Sequence, residues 1–258
     1  MTEEPYRWLE AIGNRREYIR DQLKGGTPVF AVSRPEGIFL FGIGQGMSKV
    51  FEIYDRHAFA ALGHPVDIEK VRQSAIEAAH LEGFNRSTKD VTLRRLIGFA
   101  LSPSLKNSFE QIFSPPIMVE AIFAEVGETQ PEDILCRLHY DGNHRWEATG
   151  VLVAHTDPDR EAEAQEWLIK QLGTGDPPTG SRSQSSNNPS IQSSSLQPVA
   201  AACLAAWRAL TENKPFAEIT ISNEFPPHVN GKHIEAALLD RSASGSVHYR
   251  PLSFAQLK

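Results

Sequence analysis

The chain has 258 residues, of which 40% are hydrophobic and 22% charged, with a net charge of −6. These values suit a folded globular chain and argue against a nucleic-acid or anionic-membrane surface, because either partner calls for a basic face. The first thirty residues lack the continuous apolar stretch of a signal peptide, and nowhere do about 18 apolar residues run together, so the expectation is a soluble cytoplasmic protein.

In chain order, Asn14 is placed to cap a short helix over residues 15–24, which Gly25 and Gly26 stop. The segment VFAV, the turn RPEG and the segment IFLFGI then predict two antiparallel strands joined by a hairpin. After the turn GQGMS, the segment KVFEIYDRHAFAALG supplies two further strands with YDRH between them. From Asp67 the apolar period becomes helical, with Ile68, Val71, Ala75, Ala78 and Ala79 on one face and Gly83 as a stop. A second helical stretch runs from about Asp90 to Phe113, where Pro103 either kinks it or follows a new start at Ser102.

IMVEAIFAEV, DILCRLHY and WEATGVLVA read as three strands, with Asp141 and Gly142 as a hairpin turn. Helices follow at Asp159 to Leu172 and Leu196 to Leu210, and HIEAALLD with SVHYRPL predicts a last hairpin. Between the two helices, residues 173–195 are rich in Ser, Asn, Pro and Gly and read as a disordered insert within the domain. Four strands, two helices and three strands make a layered α/β sandwich whose sheets pack together beneath helices.

Several chemistries find no support. The glycine-rich GIGQGMSK lacks the spacing of a phosphate-binding loop and leads into a strand, so it reads as a plain turn. Cys136 and Cys203 stand far apart with no metal-type spacing and read as buried thiols, and the nine histidines, His57, His64 and His80 among them, read as scattered surface residues. No metal or cofactor is expected. Ser48 has no identifiable base and no nucleophile elbow. Thr27 is the remaining candidate, since a threonine freed at a new N-terminus can use its own α-amine as the base.

KVFEIYDRHAFAALG resembles the third and fourth strands of actinobacterial proteasome alpha subunits, matching KxxExYDRxxFAAxG. NRREYIRDQLKGG falls where that family has its first helix, and KDVT, YDG and AALLD follow in the family's order. The resemblance covers about residues 14 to 172 and 196 to 252. It implies an α+β, four-layer αββα sandwich of the proteasome-subunit, Ntn-hydrolase type, with residues 1–14 as a gate segment and 15–258 as one domain.

The same resemblance bears on Thr27. Catalytic proteasome subunits carry an acid sixteen residues after the threonine, and that place falls here on Ile43. Glu36, the only acid between Thr27 and Lys49, sits in the RPEG turn. The implied function is that of a non-catalytic alpha-type subunit, and a self-processed threonine hydrolase using Thr27 is the alternative. Implied partners are further copies in a homo-heptameric ring, a proteasome beta subunit that carries the catalysis, and a ring-shaped ATPase activator. Lys49 matches the lysine that receives the C-terminal carboxylate of the activator's tail, and Gly26 and Gly63 match the glycines that let the tail approach.

Overall fold

The computed structural model describes residues 4–173, 196–222, 226, 228–229 and 231–257. Ile12, Arg15, Ile19 and Leu23 recur at helical spacing and form the inward face of helix α1 (Glu4–Leu23). The helix therefore starts eleven residues earlier than the Asn14 cap predicts. Ile12 extends the inward face one turn ahead of Arg15 and packs against the inter-sheet core, whereas Trp8 and Leu9 are exposed. Arg15 anchors the helix by donating to the carbonyls of Ser108 at 3.0 Å and Ile112 at 3.2 Å.

Strands β1 (Val29–Arg34) and β2 (Gly37–Gly44) form the predicted hairpin, as do β3 (Val50–Tyr54) and β4 (His57–Gly63). Helix α2 (Pro65–Asn85) follows, passing through Gly83 rather than stopping there. A short 3-10 turn at Thr88–Asp90 leads into one continuous helical stretch made of α3 (Leu93–Arg95), a π-helical segment (Leu96–Leu101) and α4 (Ser102–Glu110). The π segment settles the Pro103 alternatives. Ser102 N–H bonds back to Ile97 O, and this widened turn admits a proline that has no N–H to give without ending the helix.

Beyond it come β5 (Val119–Glu125), β6 (Ile134–His139), β7 (His144–Glu147) and β8 (Val151–Ala154). WEATGVLVA, expected as one strand, is thus split between two. The Glu147 carboxylate accepts bonds from the N–H of Ala148 and Thr149 and from the Thr149 hydroxyl, and Gly150 takes φ 73°, so the chain turns out of one sheet into the other. Helices α5 (Pro158–Leu172) and α6 (Gln197–Thr211) come next, α5 capped by the Asp157 side chain. The insert expected at 173–195 lies outside the described residues apart from Gly173, the left-handed cap of α5. A two-residue strand β9 (His228–Val229), then β10 (Lys232–Asp240), β11 (Tyr249–Pro251) and α7 (Phe254–Leu257) complete the described chain.

One sheet runs β11-β10-β2-β1-β8 with β9 paired to β10, and the other runs β3-β4-β5-β6-β7. Strand alternation sorts the side chains into three layers of core. Between the sheets lie Val29, Ala31, Ile38, Leu40, Ala58, Ala60, Ile122, Ala124, Ala154 and Ala237, many of them small enough to let the sheets close. The outward face of the first sheet packs Phe30, Phe39, Phe41 and Ile43 against Leu168, Cys203 and Trp207 of α5 and α6. The outward face of the second packs Phe59 and Phe123 against Ile68, Val71, Leu93 and Ile97. The result is an αββα sandwich, as expected from the resemblance. Cys136 and Cys203 are buried thiols, and burial raises both thiol pKa values. His57 is not on the surface: it is 1% exposed, with Nε2 3.5 Å from Glu125 Oε2.

One polar group is committed to the inter-sheet layer. Arg137 on β6 is 1% exposed and is held by Glu120 at 2.8 Å, by Glu161 at 3.2 Å and by the carbonyls of Ala121 and His155. It ties β5 and β6 to the start of α5. Replacing Arg137 with Met takes the guanidinium from two buried carboxylates, leaving Glu120 with His139 and Glu161 with the His155 N–H and Arg145, and costs up to about 3–5 kcal/mol, read as a lower urea midpoint; an unchanged midpoint contradicts this role for the cluster.

Candidate functional site

The strand ends β1, β2, β3 and β4 and the start of α2 surround a cleft of about 210 Å³. Gly26, Lys49 and Gly63, distant in sequence, all line it, together with Gly25, Thr27 and Lys232. The Lys49 stem lies over the bare strand at Gly42 and Gly44, where an added Cβ would come within 3.3–3.4 Å of Lys49 carbons. Its ammonium donates to Thr27 O at 2.9 Å.

Glu235, reaching in from β10, sits beneath Lys49 and accepts from the backbone N–H of Lys49 at 2.6 Å and of Val50 at 3.4 Å. Burial raises the Glu235 carboxyl above the ordinary range even though these bonds oppose the shift. Burial lowers the Lys49 amine to about 8, Glu235 partly offsets this and the nearby Lys232 charge adds to it. The cleft therefore offers an amine poised near neutrality beside a second cation.

The two glycines have reasons of their own. Gly63 takes φ 136°, and a Cβ there would lie 2.2 Å from Met118 O. A Cβ on Gly26 would lie 2.9 Å from Leu62 Cδ1 and 3.0 Å from Leu23 O. Gly63 excludes a side chain through the fold itself, whereas a side chain at Gly26 would be tight and require Leu62 to shift.

Thr27 does not meet the requirements of a nucleophile in this arrangement. Its hydroxyl donates to Ile43 O at 2.6 Å, and the Ile43 side chain packs into the outer core beside α6 rather than into the cleft. Glu36 sits in the turn at the opposite end of β1, about 20 Å away along a six-residue strand.

Glu235 and Lys232 were not identified from the sequence. The available signal was Glu235 within the largely apolar run IEAALL, which only the pairing of β10 with β2 brings under Lys49. Among the described residues, no group of three or more His, Cys, Asp or Glu side chains is arranged to hold a metal ion, and no helix is long and apolar enough to cross a membrane.

The αββα sandwich is the architecture that the resemblance to proteasome subunits implies. Comparison with known proteins agrees. The chain is 36% identical over 173 residues to the proteasome subunit alpha of Pseudarthrobacter chlorophenolicus, spanning 65% of this chain and 72% of that protein. It is 37% identical over 147 residues to that of Renibacterium salmoninarum and 36% identical over 137 residues to that of Actinosynnema mirum, spanning 60% and 51% of those proteins. No family model matches the chain. The chain belongs to the proteasome alpha-subunit family.

The lowered Lys49 amine has a measurable consequence for stability. Its folded pKa of about 8 lies below the ordinary 10.5, so between those values the unfolded chain holds a proton that the folded chain has shed. Stability from this group therefore rises with pH across that window. Urea midpoints measured through the window should rise in the parent chain and flatten in Lys49→Gln; parallel profiles contradict the assignment.

Proposed function

We propose that this chain is a non-catalytic ring subunit that docks an ATPase activator and controls access to a catalytic partner. The observation that carries the reading is the convergence of Lys49, Gly26 and Gly63 on one cleft. A tail ending in a free carboxylate meets there an amine in a cleft walled in part by the bare backbone of Gly25, Gly26, Gly44 and Gly63. One charge-assisted hydrogen bond contributes only about 1.5–3 kcal/mol, so a single tail binds weakly. A ring of clefts facing a ring of tails gains the rest through effective concentration.

In this reading the subunits close head to tail into a homo-heptameric ring in the cytoplasm, and a proteasome beta ring beneath supplies peptide-bond hydrolysis. Residues 1–14 act as the gate segment ahead of one domain spanning 15–258. The continuation of α1 to Glu4 supports a gate with a rigid base, since most of the segment is an extension of the anchored helix.

Lys49→Ala is expected to leave rings intact in electron micrographs while reducing activator-stimulated degradation severalfold; unchanged stimulation removes the docking assignment. Stimulation in the parent should weaken as pH rises through about 8, where Lys49 loses its charge. Deleting residues 2–13 is expected to raise the hydrolysis of small peptides by the assembled particle, and an unaltered rate withdraws the gate. Intact mass separates this reading from its competitor, because a mature chain beginning at Thr27 belongs to a hydrolase.

A further inference from the structure

The same cleft has a second chemical property, carried by what Lys49 is bonded to. Lys24, Lys70, Lys106 and Lys214 each pair with a carboxylate, Asp21, Asp67, Glu110 and Glu212 respectively. A carboxylate partner favours the protonated, unreactive amine. The Lys49 ammonium instead donates to a neutral carbonyl, Thr27 O. The nearest acid, Glu235, is engaged through its Oε2 by the Lys49 and Val50 backbone N–H groups. Lys232 lines the cleft as a second cation, which disfavours a proton on Lys49 and attracts anionic reagents. Glu69, the remaining ionisable wall residue, is already held by Arg72 and Gln73.

We propose that Lys49 Nζ is an acyl-acceptor nucleophile that small acyl phosphates modify in preference to the carboxylate-paired lysines Lys24, Lys70, Lys106 and Lys214, and that this acylation closes the cleft to a carboxylate tail. The neutral amine attacks the acyl carbon, the new C–N bond forms, and the C–O bond to phosphate breaks. Phosphate leaves with the electron pair, and the proton of the adduct passes to solvent in the open cleft. The product is an uncharged amide. It retains one N–H for Thr27 O but offers no charge to a carboxylate, so acylation switches docking off. This regulatory consequence rests on the docking reading above, whereas the reactivity of the amine does not.

The experiment treats the full chain with acetyl phosphate across a pH series and follows each lysine by peptide mapping in a mass spectrometer. At neutral pH Lys49 should acetylate roughly tenfold faster than Lys24, Lys106 and Lys214, because a larger share of it is neutral. Its rate should reach half-maximum near pH 8. A rate equal to or below that of those exposed lysines overturns the reactive amine. A parallel set includes a peptide with a free C-terminal carboxylate, or the same peptide amidated. Protection of Lys49 by the free acid alone supports the switch. Rapid acetylation that neither peptide slows overturns the switch while supporting the nucleophile; the docking reading is decided separately, by the stimulation of assembled rings carrying Lys49→Ala.

Discussion

The antiparallel ladder between β2 and β10 is the constraint on which the rest of this structure depends. It pairs Gly37 through Gly44 with Asp240 through His233, joining segments far apart in sequence. The ladder fills the centre of one sheet, and without it β1, β2 and β8 would leave an open, unpaired edge. Its register also decides the chemistry of the cleft. Glu235 stands opposite Gly42 and shares a face with Ala237 and Leu239, which point between the sheets. A slip of one residue would turn Glu235 toward the apolar helices and take the acid away from Lys49.

That constraint is invisible locally, which explains what the sequence revealed and what it withheld. The hairpins β1–β2 and β3–β4 were legible because each combines short apolar strand runs with a short turn, and both signals lie within a few residues. The helix α2 was legible from Ile68, Val71, Ala75 and Ala79 at helical spacing. The split of WEATGVLVA was not, because the determining event is the capture of three donors by one Glu147 oxygen, and that bonding leaves no periodic trace. The early start of α1 was missed for a related reason: Asn14 is a good cap in isolation, but Arg15 is held by the carbonyls of Ser108 and Ile112, nearly a hundred positions away.

The site divides along the same line. Lys49, Gly26 and Gly63 came from a resemblance carried by one contiguous motif and its neighbourhood, and folding brings all three to one cleft. Glu235 and Lys232 belong to the strand placed by the non-local ladder, so the electrostatics of the cleft, unlike its lysine, could not be read in advance. The glycines illustrate how a motif residue can answer to more than one demand. Gly63 is required by its backbone angle and by Met118 before any ligand is considered.

The geometry around Thr27 shows why one substitution at the position sixteen residues on would not supply the acid that a threonine nucleophile needs. The position sixteen residues on, Ile43, points its side chain into the layer shared with Phe39, Phe41 and Trp207. An aspartate placed there would be a carboxylate in an apolar core, and its cheapest response is to take up a proton rather than to orient an amine in the cleft. On the cleft side, the neighbouring strand positions are Gly42 and Gly44, and their bare backbone is what makes room for the Lys49 stem. The Lys49 ammonium bonds to the Thr27 carbonyl and the Thr27 hydroxyl to the Ile43 carbonyl, so the two side chains are not bonded to each other. The Lys49 charge in the cleft is the property a carboxylate-bearing partner would use.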